Sequence, residues 1–216
     1  MTVPDEPAHV APAGRIVELA DLVERVLAGP ATLGGSRLVC IDGPSGAGKT
    51  TLARRFRHVA RRASSIPVTA VHMDDLYDGW TGLADAAASK VPEWLLTPLS
   101  QDRTGRYRRY DWPSGAYAEW HAVAPGGLVV LEGCGSAARP ADRFATLRLW
   151  VDAAAEVRLR RSVERSGVAV LPFLRDWRLA EEAHFAADRT RERADVLVLG
   201  DPAASYDPRT QLVVAG

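Results

Sequence analysis

The sequence predicts an α/β fold built on a doubly wound parallel sheet of about five strands. Two observations carry this expectation. Five short, almost continuously apolar segments recur at 37–42, 67–73, 128–131, 147–151 and 194–199. Between most of them lie stretches with apolar residues at helical spacing. A strand with no polar face is buried on both sides, and strands that alternate with helices form parallel sheets covered by helices.

Taken in order, residues 14–29 place Ile16, Leu19, Val23, Val26 and Leu27 at helical spacing and close on Gly29-Pro30, which predicts a first helix. RLVCID at 37–42 is a strand that runs into glycines, and 50–62 is a helix. PVTAVHM at 67–73 is the second strand, LVVL at 128–131 the third, LRLWV at 147–151 the fourth and ADVLVL at 194–199 the fifth. Helices are expected at 153–165 and 174–193. Residues 1–13, with Pro4, Pro7 and Pro12, read as a flexible tail, and 14–216 as a single domain, the size that 216 residues favour. Residues 79–125 break the rhythm. They hold four of the six Trp, three of the five Tyr and an arginine run at 103–109. A long insertion of this kind in a compact α/β domain is more often functional than idle.

Composition removes several function classes. Basic and acidic residues balance at 27 each, so a strongly basic nucleic-acid binder is not expected. No apolar run reaches the roughly 20 residues of a membrane span, and residues 1–13 lack the basic and apolar regions of a secretory signal. The two cysteines, Cys40 and Cys134, are too few for a disulfide framework or a four-ligand zinc site, and reduced thiols in a cytoplasmic protein are expected. A homo-oligomer is compatible with this composition. Of the 27 basic residues only two are lysine, Lys49 and Lys90. Where Lys persists among so many Arg, a compact ammonium is required that a planar guanidinium does not replace.

Lys49 lies in Gly43-Pro44-Ser45-Gly46-Ala47-Gly48-Lys49-Thr50, which matches G-x-x-x-x-G-K-[ST]. Glycines let backbone N–H groups turn inward around phosphate oxygens, the lysine reaches the terminal phosphates, and the threonine hydroxyl ligates Mg²⁺. A strand precedes the run and a helix follows, so the helix N-terminus adds a favourable dipole. This predicts a P-loop NTPase in which Gly43, Ser45, Gly46, Ala47, Gly48, Lys49, Thr50 and Thr51 bind the nucleotide. LVVLEG at 128–133 is an apolar strand ending in Glu132, placed to hold the metal with Thr50.

His72-Met73-Asp74-Asp75-Leu76-Tyr77 follows the second strand directly. Residues just past the C-terminal ends of parallel strands line the ligand crevice. A carboxylate there can take the proton from an attacking hydroxyl during phosphoryl transfer.

Taken together, GPSGAGKTT, Asp74-Asp75-Leu76-Tyr77, Tyr110-Asp111-Trp112, LEG at 131–133 and VDAAAEVRLRRSVER at 151–165 resemble the uridine kinase branch of P-loop kinases, which includes phosphoribulokinase and bacterial pantothenate kinase. The ordered set spans most of 37–200. The resemblance implies that Asp74 is the general base and that Tyr77, Tyr110 and Trp112 face the acceptor. It implies a small helical lid at 158–175, where Arg158, Arg161 and Arg165 approach the phosphates. Arg161 would stabilise the transferring phosphoryl group, and 79–125 would hold the acceptor. In pyrimidine nucleoside kinases of this family a histidine follows the Tyr-Asp-aromatic element, and Gly115 stands at that place here. Arg103, Arg106, Arg108 and Arg109 offer cations to an acidic or phosphorylated acceptor.

The expected activity is transfer of the γ-phosphoryl group of ATP or GTP, with Mg²⁺, to a hydroxyl of a small molecule. A nucleoside is the first acceptor, and an antibiotic or vitamin precursor the second. The rival is an ATPase or switch in which water is the acceptor. Such a switch usually needs a glutamine or similar group to orient water, and the sequence offers no clear candidate.

Overall fold

The computed structural model describes residues 14–216, so the tail expected at 1–13 lies outside the described residues. In chain order the strands are β1 (Gly14–Glu18), β2 (Arg37–Asp42), β3 (Val68–His72), β4 (Gly105–Asp111), β5 (Ala116–Val123), β6 (Leu128–Glu132), β7 (Ala145–Asp152), β8 (Val196–Leu199) and β9 (Gln211–Ala215). Seven of them form one sheet in the order β1-β9-β8-β7-β2-β6-β3, and β4 and β5 pair as a separate hairpin. The five strands from β8 to β3 are mutually parallel and are the five that the sequence predicts. Two more strands extend the sheet, with β9 antiparallel to β8 and β1 antiparallel to β9.

The expected helix over 14–29 is corrected at its start. Residues 14–18 are extended, and α1 (Leu19–Ala28) begins only at Leu19. Ile16 fits the helical spacing by coincidence and is largely exposed on β1. Pairing with β9 decides the local conformation, as tertiary context commonly does for short segments. Helices α2 (Lys49–Ala63) and α5 (Ala155–Ser166) match the expectation closely. The helix expected at 174–193 starts earlier, as α6 (Leu171–Asp188), and breaks at Arg189, whose φ of 54° is left-handed, before α7 (Thr190–Arg193). Here α3 (Leu83–Asp85) and α4 (Thr97–Ser100) are the two ends of one helical stretch in the insertion.

That stretch opens the 79–125 segment. Between α3 and α4 the chain is wound in wide π turns over Ala86–Leu96, with Pro92 inside. Proline has no N–H to give its own turn and crowds the carbonyl four residues back. The Thr97 N–H reaches Pro92 O, a five-residue step. Hairpin β4–β5 follows. No helix among the described residues is long and apolar enough to cross a membrane.

The sheet carries a core on each face. Along β2, Leu38 and Cys40 point into the cluster that holds Met73, Tyr77, Leu131 and Trp177, while Val39 and Ile41 point into the cluster that holds Val23, Leu52 and Phe56. Alternation along a strand delivers this division directly. Both cysteines are buried free thiols. The parallel register sets Ile41 and His72 on either side of Glu132, so the C-terminal ends of β2, β6 and β3 open together into one crevice.

Candidate active site

The loop between β2 and α2 is folded by its glycines. Gly43, Gly46 and Gly48 have φ of 136°, 79° and 111°, a region that side-chain-bearing residues avoid. Space matters as well at Gly46, where a Cβ would lie 2.3 Å from the Arg158 carbonyl oxygen. Asp42, fully buried at the end of β2, staples the loop from below by accepting N–H groups from Gly43 (2.7 Å), Gly135 (2.9 Å) and Ala137 (2.8 Å). Burial outweighs these donors and pushes its carboxyl up to about 6. Lys49 is buried, and its Nζ donates to Pro44 O at 2.9 Å.

Glu132 ends β6 beside this loop. One of its oxygens lies 3.4 Å from the Thr50 hydroxyl and the other 2.5 Å from His72 Nδ1. That hydrogen bond raises the His72 pKa, against the opposing effect of burial. Thr50 and Glu132 supply oxygen donors, a hydroxyl and a carboxylate 3.4 Å apart. No group of three or more His, Cys, Asp or Glu side chains among the described residues could hold a metal ion. This donor set fits Mg²⁺, which binds through one or two carboxylates and takes its remaining ligands from phosphate and water.

Asp74 follows β3 in a short 3₁₀ turn, Met73–Asp75. It is solvent-exposed and faces the cavity described below. Desolvation raises its carboxyl pKa and the Glu132 charge adds to this, while Lys49, Arg165 and His72 act the other way. The neighbouring Asp75 does not line the cavity; its electrostatic partners are His72 and, from the hairpin, His121, Arg109 and Glu119.

One cavity of about 650 Å³ gathers most of the sequence-predicted site: Ser45, Gly46, Gly48, Lys49, Thr50, Thr51, Asp74, Tyr77, Trp112, Glu132, Arg161 and Arg165. Tyr77 is almost wholly buried, and its hydroxyl donates to Cys134 O at 2.7 Å, so only its ring is offered to the cavity. Trp112 donates from Nε1 to Asp74 O at 3.0 Å and thereby braces the Asp74 turn. Arg161 reaches Gly200 O at 3.1 Å and Gly46 O at 3.4 Å, so it spans from α5 to the glycine loop.

Four predicted residues do not line the cavity. Gly43 and Ala47 are buried within the loop itself. Arg158 turns its Nε back to Ala153 O at 3.1 Å, and it is the Arg158 backbone that meets the loop, at Gly46. Tyr110 is buried behind Trp112, edge-on to it at 5.4 Å. The expectation that Arg108 and Arg109 await an anionic acceptor is also corrected. Arg108 donates to Ala118 O and Tyr117 O across the hairpin, and Arg109 pairs with Glu119 and Asp111.

No sequence motif marks Trp177 or Glu181, and Trp80 is one of the four Trp of the 79–125 segment. Trp80 and Trp177 line the cavity with Trp112. Trp80 lies edge-on to Trp112 at 5.1 Å and to Trp177 at 6.0 Å, and stacks on Phe173 at 5.5 Å and 15°. The 79–125 and 158–175 segments therefore touch at the cavity rim. Glu181, 2% exposed, accepts from Ser45 N–H at 2.8 Å. Trp177 and Glu181 are four residues apart and so share a helix face, which was the available signal.

A parallel sheet with a glycine cradle after β2 and an acid at the end of β6 is a P-loop fold. The chain is similar in structure to a possible uridine kinase from Bacillus stearothermophilus, with a TM-score of 0.59 and 21% identity over 83% of this chain and 96% of that one. It is also similar to a structure named as a fructose transport system kinase from Silicibacter sp. TM1040, with a TM-score of 0.55 and 20% identity over 82% of this chain and 95% of that one. What is shared at these identities is the fold. No family model and no curated protein matches the sequence.

Proposed function

We propose that the protein is a kinase that moves the γ-phosphoryl group of ATP or GTP to a hydroxyl of a small molecule, with a nucleoside as the first acceptor to test. The observation that carries this reading is that Lys49 and Asp74 face one cavity, the first from the phosphate cradle after β2 and the second from the turn after β3. On binding nucleotide, Lys49 exchanges the Pro44 carbonyl for phosphate oxygens. Arg161 and Arg165 add positive charge where the transferring group becomes most anionic. Thr50 and Glu132 hold Mg²⁺, which neutralises phosphate charge when bound. Asp74 takes the proton of the acceptor hydroxyl at a carboxylate oxygen, helped by a raised pKa that brings it closer to neutral.

The acceptor wall of Tyr77, Trp80, Trp112 and Trp177 suits a planar or apolar body. Gly115 does not line the cavity, so recognition falls to these rings and not to a side chain at that turn. The segment at 158–175 acts as a lid, latched to the insertion by the Trp80–Phe173 stack. The deciding experiment measures ADP release from Mg·ATP across a panel of nucleosides and other small hydroxyl compounds. Release stimulated by an acceptor, with a phosphorylated product by mass, is expected. Vigorous hydrolysis that no acceptor accelerates would instead establish the ATPase reading.

A further inference from the structure

Glu181 is a buried carboxylate with only neutral donors around it. Its Oε1 accepts from Ser45 N–H at 2.8 Å, from Ser45 Oγ at 2.5 Å and from Trp177 Nε1 at 2.7 Å. Burial, with the nearby Glu181 second, pushes the Cys134 thiol pKa up. Trp177 Nε1 also lies 2.9 Å from Ser45 Oγ, which closes a three-membered network of loop hydroxyl, indole and carboxylate. A buried polar side chain is kept in such a place by the hydrogen bonds it makes.

The three elements that meet at Glu181 have different tasks in the proposed reaction. Ser45 belongs to the first half of the phosphate cradle. Trp177 belongs to the aromatic wall, where its ring packs edge-on against Tyr77 at 4.9 Å. Cys134 follows the strand that delivers Glu132, and its carbonyl receives the Tyr77 hydroxyl. The Ser45 N–H is aimed at α6, so the loop on that side is held by a helix outside the cradle, through Glu181 and Trp177. Moving Trp177 moves the oxygen's other donor, and the Ser45 N–H must follow or lose its partner.

We propose that Glu181 is a positioning residue that fixes the phosphate loop from helix α6 and couples the aromatic acceptor wall to nucleotide binding. The coupling half rests on reading the cavity as a kinase site; the positioning half requires only that the loop binds nucleotide. Glu181→Gln keeps an oxygen where Oε1 stands, whereas Glu181→Ala leaves the Ser45 N–H unpaired and the indole N–H with only Ser45 Oγ to accept it.

The test titrates Mg·ADP into wild type, Glu181→Gln, Glu181→Ala, Trp177→Phe and Lys49→Ala by calorimetry, with thermal unfolding to confirm that each is folded. Affinity should fall about tenfold or more in Glu181→Ala, the loss of one charge-assisted hydrogen bond, and clearly less in Glu181→Gln. Indole emission is followed in the same titrations. The emission change that wild type shows and Trp177→Phe lacks reports Trp177 itself. It should be present in wild type and absent in Glu181→Ala. A role confined to stability would lower the melting temperature and leave the affinity of the folded protein and this emission change intact, and that result overturns the proposal. Should Glu181→Ala not fold, the comparison of Glu181→Gln and Trp177→Phe with wild type decides: both must bind Mg·ADP more weakly than wild type, and equal binding overturns the proposal. Wild type that binds no Mg·ADP, or binding that Lys49→Ala leaves unchanged, removes the nucleotide reading first and this inference with it.

Discussion

Two adjacent carboxylates share the turn after β3, and their surroundings separate them. Asp74 opens into the cavity beside Lys49, while Asp75 answers to charges on the hairpin. Asp74→Asn should therefore keep Mg·ADP affinity and lose roughly a hundredfold or more in acceptor-dependent transfer, the scale of a lost general base. Asp75→Asn should retain most activity. Side-by-side rates and affinities check this, and an inactive Asp75→Asn beside an active Asp74→Asn would reverse the assignment. Asp42 gives a pH prediction of a different kind. Its carboxyl sits at about 6 in the fold, above the ordinary value of about 3.9. The folded state therefore holds this proton more tightly, so its contribution is complete below about pH 3.9 and fades as pH rises through about 6. Asp42→Asn should be less stable, because its amide N–H₂ faces a backbone donor. The stability gap to wild type should narrow by about 1 kcal/mol between pH 5 and 7.5, read from urea unfolding.

At the scale of elements, the approach of α5 to the glycine loop sets the geometry of the phosphate end. A methyl group at Gly46 meets the Arg158 carbonyl and also demands a left-handed conformation, so Gly46→Ala should fold and yet bind Mg·ADP at least tenfold more weakly. Arg161, one turn further along α5, is expected to gain contact as the phosphoryl group moves. Arg161→Ala should lower kcat more than it raises KM for ATP, and a change confined to KM would make Arg161 a ground-state contact. The elements also show what the sequence could and could not convey. The five parallel strands were legible because each is apolar on both faces. Strand β1 was not, since GRIVE has too few residues to set a period and takes its conformation from β9. The break at Arg189 was hidden for a related reason: a left-handed arginine carries no compositional mark, unlike a glycine at a helix end.

Across the whole molecule, the site was readable wherever a side chain's role is local and lost wherever it depends on folding distant segments together. Lys49, Thr50 and Glu132 are announced by their own neighbours in sequence. Trp80 and Trp177 come from segments about a hundred residues apart, and only the folded chain brings them to one cavity, with Glu181 hydrogen-bonded to the Trp177 indole beside it. The same limit explains Arg108 and Arg109, whose run looked like a binding surface until the hairpin supplied Glu119 and two carbonyls to satisfy it. The insertion and the segment after α5 make contact through Trp80 and Phe173, so both segments build the edge of the cavity that Trp80 lines.

The pairing of Gly14 with Ala215 bears on how the chain may be reconnected. Opposed residues of an antiparallel pair have Cα atoms about 5 Å apart, so β9 and β1 are already arranged as the arms of a hairpin that lacks its loop. A loop of about two to five residues suffices for such a connection. A circular permutant that runs from residue 216 into residue 14 through that loop, and begins instead at Gly115 in the turn between β4 and β5, should fold and bind Mg·ADP as the linear chain does. Melting temperature and calorimetry check it. The order in which this sequence is read is thus one of several that the same sheet would accept.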